Sequence, residues 1–328
     1  MLTLDPATAA ELVAAHLGWP KVGLVAEELA GGVSNIVIRV AEPGGESVVL
    51  KQSLARLRVA EEWLCERERI YDEADALRTL AAVAPAASLP RVLFEDRENY
   101  LFAMTAAAAG APTWKEQLLA GEVHLDLARQ AAQLAAAFWQ APSARARFAS
   151  RDRFEQLRVA PYYRHTLTRH ADLAGPFSRA IDAALGKAQA LVHGDWSPKN
   201  FLVNPGPRLF SIDYEVMHWG DPGFDTAFLL NHFVLKGWHR AGAQPLYAAL
   251  GREYLQHLIA LTGATDLEAA TLVHLPCLHL ARVDGKSPAE YLSPAAQGHV
   301  RRFARDLLQN PVQSVAEVFE RQAEAFHE

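Results

Sequence analysis

The sequence predicts an α+β protein of two lobes, in which a five-stranded antiparallel sheet with a helix is followed by a mostly helical C-terminal lobe. Two observations predict this. Short runs with strand-like alternation, separated by turn residues, occur between positions 22 and 104. From position 113 onward, apolar residues recur with the period of a helix and are interrupted by one hairpin. We therefore place the lobes at 1–104 and 113–328 and a hinge at 105–112.

The composition predicts a soluble, cytoplasmic protein. The chain has 328 residues, 50% of them hydrophobic, and its formal net charge of -6 provides no basic surface for nucleic acid. Residues 1–6 lack the basic start of a secretory signal, and no apolar run is long enough to span a bilayer. Cys65 and Cys277 lack metal-ligand spacing, so we expect two free thiols in a reducing compartment. We expect neither nucleic acid nor a membrane as a partner.

The N-terminal lobe begins with a helix and three strands. Asp5 as N-cap and Pro6 at the first helical position predict a helix over about 5–17. Alternation and glycine-containing turns predict strands at 22–29, 36–40 and 47–51. The stretch 56–80, with a helical stripe of residues from Glu66 to Leu80, and two more strands, at 92–95 and 100–104, complete this lobe.

The turn after the first strand contains Gly31 and Gly32, followed by Ser34 and Asn35. A glycine pair between antiparallel strands lets backbone N–H groups approach phosphate oxygens, and an ordinary hairpin turn is the alternative. Lys51 favours the phosphate interpretation, because a lysine that ends an apolar strand is unusual unless it has a function.

A carboxylate partner for Lys51 is expected on the helix that follows. Its period places Glu66 and Glu73 on the apolar face, where an acid requires a cation. We favour Glu73 because it is central in the helix. The alternative is a surface ion pair of Glu73 with Arg69 or Arg78.

The second lobe is predicted to be helical on both sides of a hairpin. Predicted helices before the hairpin lie at 113–119, 125–139, 154–167 and 177–185. A further helix runs from Asp225 to about 235, and residues 243–326 are helical with breaks at Gly251, Gly263, Pro276, Pro288, Pro294 and Pro311.

Three oxygen-bearing side chains cluster around the hairpin, whose strands are predicted at 201–203 and 209–212. Asp195 and Asn200 lie five positions apart before it, and Asp213 follows its second strand. Phosphoryl transfer requires a carboxylate that orients an acceptor hydroxyl and oxygen ligands that hold Mg²⁺ against nucleotide phosphates. The region therefore predicts a phosphoryl-transfer centre, against the alternative of acidic surface turns.

The motifs His193-Gly-Asp-Trp-Ser-Pro-Lys-Asn200, Ile212-Asp213 and Gly220-Asp-Pro-Gly-Phe-Asp225 resemble the aminoglycoside phosphotransferase and choline kinase family of small-molecule kinases. A shorter similarity, from Lys51 to Glu73, is to methylthioribose kinases. The resemblance implies a protein-kinase-like fold, with ATP and Mg²⁺ as cofactors.

The resemblance also implies roles for individual residues. Asp195 would be the catalytic carboxylate, and Asn200 and Asp213 would be the metal ligands. The implied nucleotide-binding residues are Gly31, Gly32, Ser34, Asn35, Lys51, Glu73 and Met104, the last directly before a hinge whose backbone would receive the adenine edge. A flexible linker is the alternative for the hinge.

Several positions keep two interpretations. Glu215 either faces the metals through water or caps a turn, and Asp225 either caps its helix or binds the backbone of the catalytic loop. Arg282 and Asp284 belong either to a substrate-binding loop or to a helix C-terminus with a glycine stop. Trp219 contributes either to an aromatic box for a cationic acceptor or to the core.

We therefore expect a kinase whose partners are ATP and a small hydroxylated metabolite such as a sugar or an amino alcohol. A protein kinase is disfavoured because the Asp-Phe-Gly and Ala-Pro-Glu signatures are absent from the sequence. The alternative from another functional class is a nucleotide-binding pseudokinase with a regulatory or scaffold role.

Overall fold

The computed structural model describes residues 2–29, 35–56 and 66–326. The chain divides into two compact units. The first consists of Met1–Ala82, Ala86–Ala111 and Phe210–Glu215, and the second consists of Val83–Pro85, Pro112–Leu209 and Val216–Glu328.

The first unit is built on an antiparallel sheet of five strands in the order β1-β2-β3-β5-β4, which confirms the predicted sheet. The strands are β1 (Val25–Glu28), β2 (Asn35–Ala41), β3 (Ser47–Ser53), β4 (Val92–Asp96) and β5 (Leu101–Thr105). The predicted first strand began too early. Gly23 has a φ of +89°, and the chain there forms a turn rather than a strand.

Two helices belong to this unit, α1 (Pro6–Leu17) and α2 (Arg69–Leu80). The predicted N-cap is confirmed, since Asp5 Oδ1 accepts a hydrogen bond from the Thr8 N–H at 2.8 Å. The predicted start of the second helix was too early, because Glu66 precedes α2 and is exposed. Glu66 therefore does not share the buried face of this helix.

The alternation of side chains along β2 and β3 determines which residues pack on each face of the sheet. Ile36, Ile38 and Val40 of β2 and Leu50 of β3 pack in one core cluster with α1. Because successive side chains of a strand point to opposite faces, Lys51 points away from that cluster. All of β3 from position 48 onward is buried, so both faces of this strand are covered.

The second unit is mostly helical. Its helices are α3 (Trp114–Ala120), α4 (Leu125–Trp139), α5 (Asp152–Phe154), α6 (His165–Leu167), α7 (Ala174–Gly186), α8 (Pro222–His239), α9 (Gln244–Thr262), α10 (Leu267–Asp284), α11 (Pro294–Gln309) and α12 (Val315–Glu324). A π-helical stretch, Glu155–Arg164, joins α5 to α6. Helix α8 is buried almost throughout and packs against α9 and α10. Among the described residues, no helix has the length and apolar character that crossing a bilayer requires.

Four short strands follow α7. They are β6 (Ala190–Val192), β7 (Phe201–Asn204), β8 (Arg208–Ser211) and β9 (His218–Gly220). The predicted hairpin is confirmed as the β7–β8 pair, and β6 pairs with β9 in a second antiparallel ladder. The chain between β6 and β7 is the segment that contains Asp195 and Asn200.

Two predicted helix breaks were wrong. Gly251 lies inside α9, and Pro276 lies inside α10. A Cβ at Gly251 would lie 2.6 Å from Phe319 Cε2, so the glycine makes room for α12 rather than ending a helix. Pro276 is itself buried within a fully buried stretch of α10, and this packing outweighs the helical hydrogen bond that a proline removes.

A glycine inside a helix can make room for a neighbouring side chain, or it can merely lower helix propensity. Alanine substitutions distinguish these two effects. Gly251→Ala should lower the free energy of unfolding by about 1–3 kcal/mol, because the new methyl group overlaps the Phe319 ring. Gly298→Ala in α11 is the matched control. Its Cβ would meet nothing closer than Arg302 Nη1 at 3.6 Å, so helix propensity should stabilise the protein by about 0.5–1 kcal/mol. Urea unfolding of both variants checks this, and equal shifts would show that Phe319 does not need the space.

Candidate active site

A buried ion pair joins the sheet of the first unit to its helix α2. Lys51 Nζ lies 2.7 and 2.8 Å from the two carboxylate oxygens of Glu73. The side chains are 8% and 1% exposed. The predicted pairing is therefore present, and the alternative of a surface ion pair for Glu73 is wrong.

Two more carboxylates of this unit approach Lys51. Asp213 Oδ1 lies 3.3 Å from Lys51 Nζ, and Asp213 has a left-handed φ of +70°. Few residues other than glycine adopt this conformation, and short polar side chains tolerate it best. Glu215 Oε2 lies 3.9 Å from Arg69 Nε, so Glu215 belongs to an ion pair of the first unit. It adds to the negative potential at Lys51.

These carboxylates fix the charge of Lys51. Burial alone would lower the pKa of its amine, but Glu73, Asp213 and Glu215 outweigh burial and raise the pKa above the usual value. Lys51 is therefore a permanent cation. Asp213 is 29% exposed, whereas Glu73 is enclosed, so Glu73 neutralises Lys51 internally and Asp213 retains an accessible side.

In the second unit, a buried carboxylate holds the loop between β6 and β7. The two oxygens of Asp225 accept hydrogen bonds from the backbone N–H groups of His193, at 2.6 Å, and Gly194, at 2.9 Å. Gly194 has a φ of +76°, and a Cβ there would lie 2.7 Å from the carbonyl oxygen of Val216. Asp225 thus binds the loop backbone, as the resemblance implied, and Asp221 is the N-cap of α8.

Asp195 is the carboxylate at the centre of this loop, and it is 1% exposed. Its Oδ2 lies 2.7 Å from Arg158 Nη2 and 3.0 Å from Lys199 Nζ. Burial would raise the pKa of Asp195, but Arg158, Lys199 and His193 outweigh it and hold the pKa well below its usual range. Asp195 is therefore ionised throughout the physiological range.

Asn200 is tied to the same loop. Its Nδ2 donates to the backbone carbonyl of Asp195 at 2.9 Å, which leaves Oδ1 as the amide atom suited to bind a cation. Within the described chain, no group of three or more His, Cys, Asp or Glu side chains forms a metal site. An amide oxygen of this kind nevertheless suits Mg²⁺, which takes few protein ligands when phosphates supply the others.

The remaining predicted site residues have different surroundings. Gly31, Gly32 and Ser34 lie outside the described residues. Asn35 begins β2 and is 3% exposed, and Met104 lies in β5 between Val49 and Val92.

Besides Glu215, three residues of the second unit were candidates for substrate contact. Trp219 is buried in β9, and its Nε1 donates to the Ala188 carbonyl at 3.0 Å. Arg282 and Asp284 form the last turn of α10, and Gly285 is the C-cap of this helix. Both oxygens of Asp284 accept hydrogen bonds from Arg301 at 2.7 Å, and His170 binds the carboxylate as well.

Sequence reasoning missed the cations that surround Asp195. Arg158 lies in a segment that the helical period marked only as scaffold, and nothing distinguishes it there from a surface arginine. Lys199 is part of the catalytic-loop motif, but its position four residues after Asp195 was not interpreted as an ion pair. His232 was also missed; its Nε2 lies 3.1 Å from Ser197 Oγ in the same loop.

The family model and the curated relatives that this chain matches are all phosphotransferases or kinases. Residues 25–269 match the model of a family described as phosphotransferase enzymes. Methylthioribose kinase 2 of Oryza sativa subsp. japonica is 27% identical over 262 residues, which cover 70% of this chain and 61% of the rice protein. Methylthioribose kinase 1 of the same plant is 26% identical over 262 residues, 70% of this chain and 60% of that protein. The chain thus spans about three fifths of the length of these relatives.

Solved structures confirm the predicted protein-kinase-like fold. A spectinomycin phosphotransferase in complex with ADP and spectinomycin has a TM-score of 0.53 and 12% identity, covering 100% of this chain and 96% of that one. An ethanolamine kinase of Plasmodium vivax has a TM-score of 0.51 and 12% identity, covering 99% and 95%. A choline/ethanolamine kinase family protein from Mesorhizobium loti has a TM-score of 0.50 and 19% identity, covering 97% and 92%.

The ion pair in the first unit can be tested by a double-mutant cycle. Glu73→Leu should lower the free energy of unfolding by about 3–5 kcal/mol, because it leaves Lys51 buried without its closest counter-charge. Adding Lys51→Met should recover most of this loss. The control is Asp126→Ala, which breaks an exposed pair with Arg129 and should change stability little. If the double variant is no more stable than Glu73→Leu, burial of charge is not the source of the loss.

Proposed function

Because the chain belongs to the phosphotransferase enzyme family, we propose that it is a Mg²⁺-dependent kinase that moves the γ-phosphoryl group of ATP to a hydroxyl of a small metabolite. The observation that carries this proposal is Asp195, a buried carboxylate kept ionised by two cations in a loop that Asp225 holds. A carboxylate in this state is suited to accept a hydrogen bond from an alcohol.

Asp195 orients the acceptor hydroxyl and takes its proton. As the bond between the acceptor oxygen and the γ-phosphorus forms, the bond from that phosphorus to the bridging β,γ oxygen breaks, and ADP leaves with the electron pair. The low pKa of Asp195 makes it a weak base, so the proton transfers late, when the hydroxyl has become acidic through bonding to phosphorus. Orientation is therefore the larger part of its contribution.

The first unit supplies the nucleotide-binding groups. Lys51 binds phosphate oxygens, and Glu73 holds its amine in place. Asn200 and Asp213 are the proposed Mg²⁺ ligands, since both present oxygens of the kind that this cation prefers. When bound, Mg²⁺ supplies neutralisation of the charge on the β- and γ-phosphates.

The direct test is ADP formation with ATP, Mg²⁺ and a panel of acceptors that includes sugars, methylthioribose, amino alcohols, hydroxy acids and aminoglycosides. Turnover that requires both an acceptor and Mg²⁺ would support the proposal. Nucleotide binding without turnover on any acceptor would favour the pseudokinase alternative.

Asp195→Asn should fold normally and lose about 10²–10⁴-fold in kcat, because the amide can no longer accept the proton. The measurement is steady-state turnover together with a thermal unfolding curve. Appreciable residual turnover in a folded variant would remove Asp195 from its proposed role.

The pH dependence tests the cations around Asp195. Since the pKa of Asp195 is lowered, its active form is present above that pKa and is lost only as the pH falls through it. Between about pH 5 and 8, kcat/KM should therefore show no acidic limb from this group. Arg158→Gln should raise the pKa of Asp195 and bring an acidic limb towards neutrality. The control Arg164→Gln, from the same helical segment but half-exposed, should leave the profile unchanged; a limb that moves equally in both variants would refute the assignment.

A further inference from the structure

Helix α8 carries a lysine inside the second unit. Lys236 is 0% exposed and lies among residues that are nearly all buried. In the described part of the chain it forms no ion pair. Its Nζ makes one long hydrogen bond, 3.5 Å from the His232 carbonyl oxygen, and lies 5.4 Å from the centre of the Tyr291 ring. A buried ammonium group with so little compensation is unusual.

A second buried cation, Arg282, lies on helix α10. It is 8% exposed, and its Nη1 donates to Ser287 Oγ at 2.9 Å and to Tyr162 Oη at 3.3 Å. Its Nε is buried and has no hydrogen-bond partner, and Arg282 pairs with no carboxylate among the residues described. The guanidinium group is therefore oriented by neutral oxygens while its charge is left unbalanced.

One nearby carboxylate, Glu290, opposes the lowering of the Lys236 pKa, but burial and the neighbouring cations outweigh it. Glu290 is 64% exposed and forms its ion pair with Lys115, and Asp195 is taken by its own two cations. Burial and the charges of Lys115 and Arg282 lower the pKa of Lys236 to about 7. The protonated form of Lys236 is therefore costly beside Arg282, and an anionic ligand would remove this cost.

Two sets of contacts connect these cations to the catalytic loop. His232 Nε2 lies 3.1 Å from Ser197 Oγ, and Lys236 follows His232 by one helical turn, about 6 Å along the axis. Arg158 contacts Asp195, and Tyr162, four residues later, contacts Arg282. The pKa of Tyr162, which burial would raise, is lowered by the charges of Arg282 and Arg158. Each cation is therefore linked to the catalytic loop through one intermediate segment, Lys236 through the His232 turn and Arg282 through the turn from Arg158 to Tyr162.

We propose that the acceptor is a small hydroxylated acid, whose anionic group, a carboxylate or a phosphate, binds Lys236 and Arg282 while its hydroxyl is presented to Asp195. This inference rests on the proposed kinase function and names its substrate class. It predicts discrimination against aminoglycosides and amino alcohols, because a cationic acceptor would add to an unbalanced positive charge.

Matched acceptors test the inference. Gluconate should exceed glucose, and glycerate should exceed glycerol, in kcat/KM by roughly 10- to 100-fold, the discrimination expected for charge-assisted hydrogen bonds. Glucose 6-phosphate serves as the phosphate arm, and choline as the cationic comparison. A higher kcat/KM for glucose than for gluconate, for glycerol than for glycerate, or for choline than for these acids would overturn the inference. Such a result would leave the kinase proposal standing.

Lys236→Met should raise KM for the acidic acceptor by roughly 10- to 100-fold with little change in kcat, and without lowering the melting temperature. A merely structural lysine would instead change stability, and a group acting only in the transition state would lower kcat with KM unchanged. Lys21→Met, an exposed change in the first unit, is the control and should alter neither constant.

A binding measurement distinguishes failure of this inference from failure of the kinase proposal. In protein labelled with ¹³C at the lysine Cε positions, the Lys236 resonance should titrate near pH 7, and gluconate, glucose 6-phosphate or inorganic phosphate should raise that pKa. If turnover is absent but the Lys236 pKa rises with these anions, the anion site stands and the kinase proposal fails. If none of the anions changes the titration of Lys236, the inference is overturned.

Discussion

The hydrogen bonds from the backbone of His193 and Gly194 to Asp225 are the constraint on which the catalytic loop depends. A buried carboxylate that accepts two backbone N–H groups fixes the direction of the chain as it leaves β6. Only a glycine fits at position 194, where φ is positive and the Val216 carbonyl is close. With the backbone fixed, the Asp195 carbonyl is available to the Asn200 amide, and the Asp195 side chain stays where two cations can reach it.

Buried charge in this protein follows two patterns. Lys51 is compensated within the first unit by carboxylates, which is a stable arrangement whether or not a ligand is bound. Lys236 and Arg282 are buried in the second unit and are held by neutral oxygens, an aromatic ring and a backbone carbonyl. The first pattern holds a side chain in one position. The second leaves an unfavourable electrostatic free energy, which the binding of an anionic ligand would lower.

Much of the fold was predictable because local signals agreed with tertiary structure. The alternation of residues within short strands predicted the sheet. An acid on the apolar face of a helix predicted the partner of Lys51. The signals failed where a distant contact decided the outcome: Gly251 and Pro276 mark helix breaks by propensity, yet packing keeps both helices continuous. Arg158 carried no local signal, because its importance arises from Asp195, far along the chain. Lys236 did carry one, a charge inside an apolar helix, which is the same observation that singled out Lys51.

The central claim is that a phosphoryl group passes directly from ATP to an acceptor alcohol presented to Asp195. ³¹P NMR of a reaction with ATP, Mg²⁺ and the best acceptor of the panel tests it most directly. The account predicts that the γ-phosphate signal disappears as a phosphomonoester signal appears in equal amount with ADP. Release of inorganic phosphate in place of the monoester, or an unchanged ATP spectrum with every acceptor, would contradict it.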